Sequence, residues 1–158
     1  MAATPASRDE LDEQARHISG WLEELRADNP LIEAVDADDT GVRRWFVRLA
    51  GEERDHTTVW LELRQRTLAH ETYVLPAPVD EPGRVYEHLL RRNRQLRGVA
   101  FAIGDEDALY LVGEVPAADV DRDTLDRLLG MHHEAVERHF RPILRLGFSS
   151  ILSEHFNV

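Results

Sequence analysis

The residues best suited by type and spacing to do chemistry in this 158-residue chain are His132-His133-Glu134-Ala135-Val136-Glu137. A zinc metalloprotease helix places two histidines four residues apart, with a glutamate after the first, so that both imidazoles share one face. Here Glu137 stands where the second ligand histidine belongs, so only His133 and Glu137 could meet a metal together. In the competing reading His132 packs in an apolar stripe while His133, Glu134 and Glu137 form a solvated face. Asp36, Asp38, Thr40 and Gly41 match the first half of a calcium loop, but Val47 occupies the twelfth position, which needs a bidentate glutamate. Asp119, Asp121 and Asp123 lack the glycine and stand where acids favour a helix N-terminus. Ser149 and Ser150 follow Gly147 without a Gly-x-Ser-x-Gly elbow, and there is no glycine-rich phosphate loop. The expectation is therefore a protein that is not an enzyme and needs no metal or cofactor. The runner-up is a metal-dependent enzyme using His133 and Glu137.

Composition narrows the chemistry further. With no cysteine, thiol nucleophiles, disulfides and iron–sulfur clusters are excluded. All 19 basic residues are arginine, which removes the P-loop, Schiff-base and kinase lysines. A net charge of -11 makes nucleic acid a poor partner. No apolar run approaches a membrane span, and the first twenty residues lack the apolar stretch of a secretory signal, so a cytoplasmic location is expected. Charge is uneven: residues 1–40 carry -8, residues 41–97 carry +3 and residues 98–158 carry -6. Arg84, Arg91, Arg92, Arg94 and Arg97 make the middle block the basic ground.

The elements that must position these residues can be read from periodicity. Ser7 and Glu10 form a capping-box pattern ahead of Leu11, Ala15, Ile18, Leu22 and Leu25, a helical stripe that Asp28, Asn29 and Pro30 end. The stretch to Gly41 reads as an acidic connector. Three strand-like runs follow, at 42–50, 56–65 and 68–75. A second helix opens at Asp80 and Pro82, bears Val85, Tyr86, Leu89, Leu90 and Leu96, and closes at Gly98. A hairpin around 104–107 comes next. A third helix, capped by Asp121 or Asp123, carries Leu125, Leu128, Leu129, His132, Val136, Phe140 and Ile143, with Pro142 kinking or shortening its end. The order is helix, three strands, helix, two strands, helix. That is an α+β class with an antiparallel twisted sheet packed with helices, expected as one domain over 1–158, with a core at about 7–147 and a tail at 148–158.

Turn lengths suggest a register. The loop at 51–55 pairs Ala50 with His56, which sets Phe46 opposite Trp60 and Arg44 opposite Glu62; a tight turn at Arg66–Thr67 sets Trp60 opposite Tyr73. One face is then aliphatic. The other carries the aromatic row Phe46, Trp60 and Tyr73 among Arg44, Arg48, Arg64, Glu62 and Glu71, the mixture that protein interfaces favour. Cover from within the chain, a second subunit and a client protein are all open as its fate. The tail residues Phe148, Ile151, Leu152 and Phe156 are expected to lie on the protein's own body.

Three segments carry a family resemblance: Arg44-Trp45-Phe46-Val47-Arg48-Leu49, Tyr86-Glu87-His88-Leu89-Leu90-Arg91-Arg92-Asn93 and Ile143-Leu144-Arg145-Leu146-Gly147-Phe148. With the element order and acidic balance, the chain resembles the YbjN family, described as bacterial sensory-transduction regulators, from about residue 15 to residue 150. YbjN-like domains are similar to type III secretion chaperones, small acidic α+β proteins that are usually dimeric and hold partner segments against a curved sheet. The resemblance implies a regulatory or chaperone-like homodimer that binds a protein partner, and it supplies no catalytic residues. Arg44, Phe46, Arg48, Trp60, Arg64 and Tyr73 are the expected partner-binding residues.

Overall fold

The computed structural model describes residues 4–155. The first helix, α1, spans Arg8–Asp28; the Glu10 amide donates to Ser7 Oγ and the Ser7 amide to Glu10 Oε2, closing the expected capping box. Its stripe of Leu11, Ile18, Leu22 and Leu25 is buried.

What reads as an acidic connector is a strand. β1 runs Ile32–Ala37 and pairs with β2 (Arg44–Ala50), Val35 opposite Val47. Its alternation is masked because only Ile32 is fully buried, and a register shift between Ile32 and Ala34 interrupts the period. β3 (His56–Leu63) follows in the expected register, with Phe46 opposite Trp60 and Arg44 opposite Glu62. β4 spans Thr67–Leu75. The Arg64 amide donates to the Thr67 carbonyl, so the turn is Gln65–Arg66 and not Arg66–Thr67. Trp60 therefore lies opposite Glu71, two residues from the Tyr73 expected, and the shift of two keeps every side chain on its assigned face.

Helix α2 (Pro82–Asn93) is shorter than the periodicity implies, and Gly98 lies beyond it with φ +78°. Leu90, expected on its apolar side, is 70% exposed. β5 (Ala100–Ile103) and β6 (Leu109–Pro116) form the second hairpin, and β6 inserts against β4. The sheet thus has six antiparallel strands in the order β1-β2-β3-β4-β6-β5. α3 runs Arg122–Gly147, its first turn capped by Asp121 Oδ1 on the Thr124 amide. Pro142 does not end it. The one carbonyl deprived of a donor belongs to exposed Arg138, where water can serve it, and buried Ile143 keeps the last turns packed.

The tail continues as α4 (Ser149–His155). Phe148 is buried, and Asp80 accepts from the Ser150 amide at 2.9 Å and from Ser150 Oγ at 2.8 Å. Asp80 therefore serves α4 and does not cap α2. Phe156 lies outside the described residues.

The aliphatic face of the sheet forms the core with the helices. Trp45, Val47, Val59, Leu61 and Leu68 pack with α1 and the first half of α3. Val74, Phe101, Leu109 and Leu111 pack with α2 and the second half of α3. Trp45 Nε1 donates to Ser19 Oγ at 2.9 Å, tying β2 to α1.

Candidate functional site

The other face of the sheet is uncovered by any described helix. Arg44, Phe46, Arg48 on β2, Trp60 and Glu62 on β3, Ala69, Glu71 and Tyr73 on β4, and Tyr110 and Val112 on β6 all point outward, and none is fully buried. Trp60 and Tyr73 are 43% and 41% exposed. These rings belong to two edge-to-face pairs. Phe46 meets Trp60 at a centroid distance of 5.1 Å and 88°, and Tyr73 meets Tyr110 at 5.6 Å and 86°. Sequence reading missed Tyr110, although the inward alternation of Leu109 and Leu111 places it outward. The aromatic row is thus two pairs, separated by Glu71, which stands opposite Trp60.

The arginines are held, not loose. Arg44 Nη2 donates to Glu62 Oε1 at 2.8 Å, Arg64 Nε donates to Glu62 Oε2 at 2.9 Å, and the Arg44 guanidinium lies 6.0 Å from the Trp60 ring centroid. Hydrogen bonds from Arg44 and then Arg64 hold the Glu62 carboxyl below its usual range. Arg48 Nε donates to Glu33 Oε2 at 3.1 Å, and His56 Nδ1 is 2.9 Å from the same oxygen. Arg44, Trp60, Glu62, Arg64, Ala69 and Glu71 enclose a hollow of about 150 Å³. The face brings together the six expected partner-binding residues, with Arg44, Phe46, Trp60 and Arg64 clustered, Arg48 toward the β1 edge and Tyr73 one pair away.

His133 and Glu137 are engaged in holding a loop. His133 Nε2 lies 3.0 Å from the Ala50 carbonyl, and Glu137 Oε2 accepts from the amides of Glu52 and Glu53 at 3.0 and 2.9 Å. Burial would raise the Glu137 carboxyl, but these amides, with that of Arg54 and the nearby His133, outweigh it and lower its pKa. The pair that could have met a metal clasps the β2–β3 turn to α3. Asp38 likewise accepts from the Thr40 amide at 2.7 Å, turning the chain between β1 and β2. Among the described residues, no three of His, Asp and Glu gather as a metal site.

The core holds a polar cluster that sequence reading did not assemble. His132 lies in the apolar stripe, as one of its readings has it, but its Nε2 is 2.7 Å from His70 Nδ1 and its Nδ1 is 2.9 Å from Thr72 Oγ1. Burial pushes His70 down to about 4, and burial with His70 beside it pushes His132 down to about 3. Both imidazoles are therefore neutral near pH 7. They face the core, closed off from the outer face.

The fold and the sequence have counterparts among known proteins. A chain of the ExsC-ExsE complex superposes with TM-score 0.59 at 18% identity, covering 80% of this chain and 93% of the other. A chain of the heterodimeric ExoU-SpcU complex from the type III secretion system of Pseudomonas aeruginosa superposes with TM-score 0.52 at 22% identity, covering 80% and 96%. The α+β fold is thus of the type III secretion chaperone kind. The sequence matches the YbjN family, described as "Putative bacterial sensory transduction regulator", over residues 14–145, and the chain belongs to that family. It is 37% identical over 117 residues to an uncharacterised protein of Mycobacterium leprae and 36% identical over 111 residues to one of Mycobacterium tuberculosis, covering 74% and 70% of this chain. The chain spans only 64% and 61% of the lengths of those relatives. Among the described residues, no helix is long and apolar enough to cross a membrane.

Proposed function

We propose that this YbjN protein is a non-enzymatic regulatory or chaperone-like module that binds a protein partner and acts as a homodimer. Arg44, Phe46, Arg48, Trp60, Arg64 and Tyr73 form its contact surface. One observation carries the reading: two aromatic pairs, each with one exposed ring (Trp60, Tyr73) beside a half-buried one (Phe46, Tyr110), stand on a sheet face that no described helix covers, with arginines already fixed on Glu62. Exposed Trp and Tyr offer contact area with little side-chain freedom to lose, and a pinned guanidinium keeps its flat faces and remaining N–H donors presented. The chains that share the fold were solved in complexes with other proteins, which supports the partner-binding part of the reading. The turn contacts of His133 Nε2 and Glu137 Oε2 support a structural part for this pair over the metal-enzyme alternative.

The test is the double variant Phe46→Ala with Trp60→Ala, compared with the parent by sedimentation equilibrium and by pull-down from the native lysate. Weakened self-association or partner capture of about tenfold, with thermal unfolding little changed, is the expected outcome. A folded variant whose self-association and partner capture both match the parent overturns the assignment, and a variant that loses its fold assigns these rings to structure.

A further inference from the structure

The two edges of the sheet are finished differently. At β5, the side chain of Asn93, the last residue of α2, imitates a neighbouring strand: Asn93 Nδ2 donates to the Phe101 carbonyl at 3.1 Å, and the Phe101 amide donates to Asn93 Oδ1 at 2.7 Å. A planar amide that gives and takes one hydrogen bond satisfies what an added strand would satisfy, so the middle of this edge is closed. At β1 the Asp38 amide donates to the Arg44 carbonyl, so Asp36 and Ala34 also turn their peptide groups toward β2. The alternation leaves the N–H and C=O groups of Val35 and Ala37 directed away from the sheet. β1 ends the strand order with β2 as its neighbour, so no described strand lies on the side to which they point.

Charge selects what could pair there. Between Asn29 and Gly41 the chain carries Glu33, Asp36, Asp38 and Asp39 and no basic residue, and residues 1–40 as a whole carry -8. Glu33 is neutralised by Arg48, and Asp38 lies 3.7 Å from Arg44; Asp36 and Asp39 are exposed. A second copy of β1 laid against the first would set acid beside acid, which is unfavourable for neighbouring strands. We propose that β1 is a docking edge for an extended basic segment of another protein, added as a seventh strand, and that Asn93 restricts this addition to β1 by sealing β5. The proposal stands without the aromatic row, since its contacts are backbone groups and acids at the sheet margin.

The probe is a short capped peptide of alternating Arg and Val, set against its Glu/Val counterpart and an N-methylated Arg/Val form, with amide hydrogen exchange followed by NMR. The Arg/Val peptide is expected to slow exchange at Val35 and Ala37 about tenfold at low salt, and less as ionic strength rises. The N-methylated form should fail, having lost the donors of the added ladder. No slowing at those two amides at millimolar peptide overturns the proposal, and so does equal protection by the Glu/Val peptide. For the seal, Asn93→Leu should speed exchange at Phe101 and let the Arg/Val peptide protect it. Asn93→Asp, which can still accept from the Phe101 amide but not donate to its carbonyl, should keep that amide slow. Phe101 exchange in Asn93→Leu equal to the parent removes Asn93 from the role.

Discussion

His70 and His132 share a hydrogen bond inside the core, with Nε2 of His70 left without a partner, and a neutral pair is the only form that site tolerates cheaply. Both pKa values fall below the usual 6.5 on folding, to about 4 and about 3. Between pH 6.5 and 4 the unfolded chain therefore binds more protons than the folded one, so stability must fall as pH falls. Urea unfolding at pH 7 and pH 5 should show the loss, up to about 1.4 kcal/mol per pH unit for each histidine. A His132→Leu variant should flatten that dependence; an unchanged slope would detach it from this pair. Glu137 supplies a second expectation at this scale. Replacing it with Ala removes the acceptor for the Glu52 and Glu53 amides, at a cost of about 1–3 kcal/mol and with faster exchange at both amides. A tightly bound metal lost with the same substitution would instead revive the ligand reading of His133 and Glu137.

At the scale of the element, β6 shows how one glycine lets a polar pair sit beneath a sheet. Gly113 lies opposite His70, and a Cβ there would stand 2.4 Å from both the Gly98 carbonyl oxygen and His70 Cε1. The carbonyl belongs to the backbone and cannot rotate aside, so Gly113→Ala should destabilise by about 1–3 kcal/mol and shift the His70 resonances, measurable by thermal unfolding and NMR. The conformation of the strand is not at issue; the space is. β1 teaches the converse lesson. Its single fully buried side chain and its register shift hide a strand whose pairing with β2 is otherwise regular, and with it the acidic edge of the sheet.

For the whole molecule, a six-stranded sheet with α1, α2 and α3 packed on one face leaves the other broad and open among the described residues, and this is where the partner-binding reading is tested. Removing Phe46 and Trp60 takes away outward rings that contribute nothing to either core cluster. Unfolding free energy should change by less than about 1 kcal/mol, whereas association should weaken tenfold or more. Chemical denaturation and sedimentation on the same samples separate the two effects. A loss of stability as large as that expected for a buried aromatic, about 3–5 kcal/mol, would show the row to be part of the fold.

Local patterning was enough to place α1 with its Ser7–Glu10 box, the β2–β3 register and the sorting of side chains between the two faces, because a period-two pattern with one aliphatic face admits no slip by a single residue. It also put Phe46, Trp60 and Tyr73 on the same side. A slip of two residues costs no change of face, so the turn chemistry had to choose between Glu71 and Tyr73 opposite Trp60, and only the assembled hairpin did so. The same holds for every contact between distant segments. The His70–His132 bond, the clasp of Glu137 on the 51–55 turn, the Asn93 seal on β5 and the pairing of Tyr73 with Tyr110 join residues whose separation along the chain carries no local signal. Such contacts arise from the order in which strands pair and the way helices pack over them, and those are decided by the tertiary structure alone.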